Sequence, residues 1–155
     1  MVSRVIPVDE FDLVIFGGTG DLARRSAGYR QMIGESIAEF GGVEKSDTKG
    51  LQGFLDTIHY VAIDATGDAG WADLVALNRD GVVRAFYFSV APPLFGALAE
   101  RLHKHGIANC DSRIVVEKPF GRDLASAKAL NDTLATHFNE GQIYRIDHYL
   151  GKETV

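Results

Sequence analysis

Residues 11–23 read FDLVIFGGTGDLA: an apolar, β-branched run from Phe11 to Phe16, two glycines, and then residues that suit a helix. Such a run, halted by glycines, predicts a buried strand entering a tight turn. Gly18, Gly20 and Ala23 stand at the G, G and G/A positions of a dinucleotide fingerprint. Glycine there permits the turn, a bare backbone lets a pyrophosphate approach, and the helix start supplies free N–H groups and the positive end of a dipole. An ordinary glycine-rich connection between a strand and a helix would read the same way.

Outward from this turn, strand-like and helix-like stretches alternate. The apolar spacing of Leu22, Met32, Ile33, Ile37 and Phe40 predicts a helix over Asp21–Phe40, stopped by Gly41 and Gly42. Residues 41–53 read as an exposed loop or a frayed helix end, and Ile58–Ile63 as a strand. Helices are expected over Asp68–Asn78, Leu94–His105 and Asp123–Phe138, and strands over Arg84–Ala91, Arg113–Val116 and the residues after Gly141. This order predicts an α/β fold with a Rossmann-like, doubly wound and mostly parallel sheet. The fingerprint expects a second strand about 20 residues on, ending in an acid or an Arg that chooses between NAD and NADP. Here that distance falls inside the first helix, so the sheet is expected to be incomplete and the choice stays open. Arg24 and Arg25 fit a 2′-phosphate or a solvated helix face.

Composition narrows the class. The 155 residues carry 16 Lys and Arg against 21 Asp and Glu, a net charge of −5, which argues against a nucleic-acid backbone as partner. With 46% hydrophobic and 24% charged residues the chain is an ordinary globular sequence. A single cysteine, Cys110, cannot form an internal disulfide, and no apolar run is long enough for a signal peptide or membrane span. The expectation is a cytoplasmic protein with no membrane association.

In open α/β sheets ligands gather beyond the carboxyl ends of the strands. The residues there are Asp64 and Ala65, Ala91 and Pro92, and Glu117 to Pro119. Asp64 fits a nucleotide contact or a turn cap, and Lys118 a cofactor or sugar ligand or a surface ion pair with Glu117. Farther on, a helix from Asp147 would set His148 and Lys152 on one face, where imidazole and ammonium converge on a phosphate; composition alone favours the alternative, a solvated helix start with Asp147 as its N-terminal acid.

Three segments, GGTGDLARR, VVEKPFG and YRIDHYLGKETV, in this order and with SVAPPLFG between, resemble the glucose-6-phosphate dehydrogenase family. The resemblance implies a coenzyme loop of Gly17, Gly18, Thr19, Gly20, Asp21 and Leu22, with Asp64 and Ala65 against the nucleotide. It implies that Lys118 serves both NADP and glucose 6-phosphate, with Pro119 a hinge, and that His148, Tyr149 and Lys152 bind the sugar phosphate. It also implies a catalytic role for Asp147, which would orient a histidine base. No metal is implied, and family members are expected to be homo-oligomers. By the same resemblance residues 1–142 are the NAD(P)-binding domain and 143–155 begin the substrate and dimerisation domain. Two departures stand out: none of His59, His103, His105 or His137 matches the base motif, and about thirty residues, one helix and one strand, are missing after Arg25. The chain is therefore expected to be inactive alone. Another Rossmann oxidoreductase or a non-catalytic nucleotide-binding module would share the glycine turn.

Overall fold

The computed structural model describes residues 10–17, 26–40, 48–118, 120–121 and 123–146. Four strands, β1 (Phe11–Phe16), β2 (Val83–Phe88), β3 (Arg113–Glu117) and β4 (Ile143–Ile146), pair in that order, and every pair is parallel. Five helices accompany them: α1 (Ser26–Phe40), α2 (Thr48–Asp56), α3 (Trp71–Ala76), α4 (Phe95–Lys104) and α5 (Leu124–Ala135). This is the Rossmann-like parallel α/β sheet that the alternation predicts.

The period of two along each strand sorts side chains onto two unlike faces. Phe16, Phe86, Phe88, Ile114, Val116 and Ile143 point to one face and are buried against α3, α4 and α5, with Trp71, Phe95, Leu98, Leu102, Leu134 and Phe138. Phe16 packs edge-on against Phe88 and lies 6.2 Å from the Trp71 ring. At the amino edge, the buried Arg84 guanidinium donates to the carbonyls of Arg79 and Ile107 and ties two connecting loops together. The opposite face is open: Phe11, Leu13 and Ile15 on β1 and Tyr144 on β4 are each about half exposed.

Three expectations need correction. Within residues 41–53, read as an exposed loop or a frayed helix end, residue 48 starts a separate helix, α2, because Leu51 and Leu55 lie one turn apart and a close approach at Gly34, 3.2 Å from a Leu55 methyl for an added Cβ, lets α2 pack on α1. Ile58–Ile63 joins no sheet. By the family resemblance a strand would stand between it and β1, and without such a neighbour its β-branched residues have no ladder to enter; Arg30 of α1 donates to the Ile58 carbonyl at 2.6 Å. The helix expected over 68–78 is shorter, starting at Trp71, since Asp64–Gly70 is taken up by a hydrogen-bonded turn.

Candidate functional site

All four strands run the same way, so the chain leaves β1 at Gly17, β2 at Ser89 and β3 at Lys118 along one edge of the sheet. Register places Gly17 level with Ser89 and Glu117, and two strand spacings, roughly 10 Å, separate the β1 exit from the β3 exit. Gly17 has φ 81°, and a Cβ there would lie 2.2 Å from the Ser89 carbonyl oxygen and 2.6 Å from a Val90 methyl. Only glycine lets β1 turn so close to β2. The Ser89 N–H donates back to the Phe16 carbonyl at 2.9 Å and locks the two exits together.

Asp64 heads a turn that leads into α3. Its carboxylate accepts from the Thr66 N–H at 2.8 Å and the Thr66 hydroxyl at 2.9 Å, while its carbonyl accepts from the Trp71 indole at 2.8 Å. The Thr66 and Gly67 N–H groups hold its carboxyl below the usual carboxylate range. Ala65 packs against the core beside it. The Arg101 guanidinium donates to the Thr66 carbonyl and pairs with Asp68, which also pairs with Lys104 at 3.1 Å. The 64–68 turn is thereby clasped to α4.

At the β3 exit Lys118 is exposed, and Glu117 accepts from the Tyr87 hydroxyl across the open face. That contact pushes the Tyr87 phenol above its ordinary value, first through the hydrogen bond and then through desolvation. Sequence reasoning did not single out Tyr87; parallel register is what brings it to Glu117, and register is invisible before pairing is known. Beyond Gly121, Asp123 caps α5, accepting from the Ser126 N–H at 2.8 Å while the Ser126 hydroxyl accepts from the Asp123 N–H. His103, His105 and His137 sit at or just past the carboxyl-terminal ends of α4 and α5, helices that return from the site edge toward the amino edge. Gly18 to Leu22, Pro119, Asp147, His148, Tyr149 and Lys152 lie outside the described residues. Among the described residues no group of His, Cys, Asp and Glu could hold a metal ion, and no helix is long and apolar enough to cross a membrane.

A glycine turn and a lysine on one sheet edge are the frame into which the comparisons fit. Residues 25–155 match the family model of the glucose-6-phosphate dehydrogenase NAD-binding domain. The chain belongs to the glucose-6-phosphate dehydrogenase family. It is 43% identical to glucose-6-phosphate 1-dehydrogenase of Rhizobium meliloti, over all of this chain and 38% of that protein. With the Mycolicibacterium smegmatis enzyme it shares 37% identity over 96% of this chain and 37% of the other. The crystal structure of the Mycobacterium avium enzyme superposes with a TM-score of 0.77 at 29% identity, covering 92% of this chain and 36% of that one. A glucose-6-phosphate dehydrogenase in complex with its substrate superposes with a TM-score of 0.72 at 28% identity, covering 96% and 39%. The chain thus spans less than two-fifths of the curated relatives named here. Against the Rhizobium protein 187 aligned positions accommodate 155 residues, so about 32 positions have no counterpart here. Their number fits the helix and strand expected after Arg25, and the family-model match begins beside that junction.

Proposed function

We propose that this chain is the coenzyme-binding part of a glucose-6-phosphate dehydrogenase, taking NADP, with NAD as the alternative coenzyme. The single observation that carries this is the position of Gly17 and Lys118 on one carboxyl edge of a parallel sheet, in a chain of this family. The cradle suits a dinucleotide because Gly17 leaves no room for a side chain against β2, so backbone alone faces the ligand at the β1 exit. The Gly18 to Leu22 loop would present N–H groups to the pyrophosphate, Ala65 and the Asp64 turn would border the nucleotide, and the Lys118 ammonium would reach a cofactor or sugar oxygen. Bound nicotinamide supplies a hydride acceptor.

In the whole family protein the reaction is oxidation of glucose 6-phosphate to 6-phosphogluconolactone in the pentose phosphate pathway, in the cytoplasm. His148, Tyr149 and Lys152 would hold the sugar phosphate, and Asp147 would orient a base histidine supplied by the substrate and dimerisation domain that residues 143–155 lead into. His103, His105 and His137 belong to helix ends turned away from the strand exits, which supports a binding role for this chain alone, without turnover.

Titration of the full 155-residue chain with NADP and with NAD, followed by calorimetry and by emission of Trp71, tests the reading. Saturable binding with NADP favoured, and no absorbance rise at 340 nm when glucose 6-phosphate is added, is the expected result. A folded chain that binds neither nucleotide at millimolar concentration overturns it.

A further inference from the structure

The chain is anchored on both sides of Lys118. Downstream, Phe120 packs against the core, and Gly121, at φ 151°, runs so close to α5 that an added Cβ would lie 2.5 Å from the Ala127 nitrogen. Asp123 then caps α5. Upstream the anchor is a side chain: the Tyr87 hydroxyl donates to the carboxylate of Glu117, the last residue of β3. Register pairs Tyr87 with Val115, so Glu117 stands two residues, about 6.6 Å, farther along β3. A tyrosine bridges that offset, and a phenylalanine has no donor to bridge it with. Tyr87 also stands two residues before Ser89, whose N–H holds the Phe16 carbonyl at the β1 exit.

We propose, on the coenzyme role proposed for this edge, that Tyr87 is a positioning residue: by holding Glu117 it fixes the backbone from which Lys118 reaches the coenzyme. Through Ser89 the same strand keeps Lys118 at a set spacing from the Gly17 turn. A binding side chain on a loose strand exit must be ordered when ligand arrives, and that ordering subtracts from affinity. Tyr87 supplies the order beforehand, since its ring has few rotamers and its hydroxyl meets a charged acceptor, the stronger kind of hydrogen bond. The phenol, raised above its ordinary value, keeps its donor proton throughout the neutral range. Both side chains are partly buried, which shields the contact from water. A cross-strand pair that only stabilised the sheet would lower the melting temperature without acting through Lys118.

Calorimetric titration of the full 155-residue chain with NADP tests the proposal. Tyr87→Phe is expected to weaken binding about three- to tenfold, but to change it less than about twofold once Lys118→Ala is present, because its effect runs through the lysine. Glu117→Gln keeps an acceptor for the phenol and Glu117→Leu does not, while both remove the same charge. The Gln variant is therefore expected to bind at least about threefold more tightly than the Leu variant, and this pair gives the reading independently should Tyr87→Phe fail to fold. A Tyr87→Phe chain that binds as wild type, an equal loss with and without Lys118, or equal binding by the Gln and Leu variants overturns the proposal.

Relaxation of ¹⁵N in the unliganded chain needs no coenzyme. The order parameter of the Lys118 amide is expected to fall in Tyr87→Phe and Glu117→Leu and to hold in Glu117→Gln. An order parameter unmoved in the first two overturns the positioning role. A wild-type chain that binds no NADP overturns the coenzyme reading instead, so the two failures are told apart.

Discussion

Replacing Gly17 by alanine probes the join between β1 and β2 that shapes the coenzyme edge. The residue sits at φ 81°, where a Cβ costs about 1–2 kcal/mol by itself. The added carbon would also lie 2.2 Å from the Ser89 carbonyl oxygen, a backbone atom tied to its strand, so one exit must move at a further cost of about 1–3 kcal/mol. The sum is about 3 kcal/mol. Gly81 is the matched control: its φ is 73° and nothing lies within 4 Å of an added Cβ, so Gly81→Ala meets the conformational cost of about 1–2 kcal/mol alone. Alanine's effect on the unfolded chain is common to both and cancels in the comparison. For a domain of this size the expected fall in melting temperature is about 6–12 °C for Gly17→Ala at about 3 kcal/mol and about 3–6 °C for Gly81→Ala at about 1.5 kcal/mol. Thermal unfolding by circular dichroism, with urea unfolding followed through Trp71, the chain's single tryptophan, measures both. Equal losses in the two variants would refute the close approach of β1 to the β2 exit.

Trp71→Phe keeps an aromatic ring in the core but removes the donor to the Asp64 carbonyl, and it should lower stability by about 1–3 kcal/mol in urea unfolding. Acid should weaken the fold: Asp64, Asp68, Asp123 and Glu140 all have lowered carboxyl pKa values from hydrogen bonds to Thr66, Lys104, Ser126 and Arg145 respectively. Their contribution is complete above the ordinary values of 3.8 and 4.5 and is lost as pH falls through the lower folded values, so melting temperature should be level from pH 8 to 5 and drop below about pH 4. Tyr87 has the opposite sign, its raised phenol contributing below pH 10 and losing that contribution as pH climbs through the folded value; Tyr87→Phe should flatten this alkaline limb of the melting curve. Lys118→Ala removes an exposed cation from the β3 exit and should weaken NADP binding about tenfold in calorimetry while leaving the melting temperature within about 2 °C.

The strands were legible because their β-branched and aromatic runs agree with what the sheet requires: Phe11–Phe16, Arg113–Val116 and the stretch after Gly141 all pair as read. Ile58–Ile63 has equal strand character and joins no ladder, since strand propensity is realised only beside a neighbour. α2 was hidden for the opposite reason: Gly50 and Gly53 mask a Leu51 and Leu55 pair whose helical spacing matters only once α1 is there to receive it. At the site, the glycine turn could be read from the sequence because its signal is local. The Tyr87 and Glu117 contact could not, because it depends on register between two strands thirty residues apart. Of the two readings of Asp64, the turn cap is the one its contacts show, since its carboxylate accepts from the Thr66 N–H and hydroxyl.

A ¹⁵N–¹H correlation spectrum of the full chain, recorded as NADP is added, reads the location of the coenzyme residue by residue. Shifts should concentrate at Gly17, Ser89, Val90 and Lys118, the amides where β1, β2 and β3 end. Shifts gathered instead around Asp80, Gly81 and Ser112, where β2 and β3 begin, would contradict the assignment of the coenzyme to the carboxyl edge.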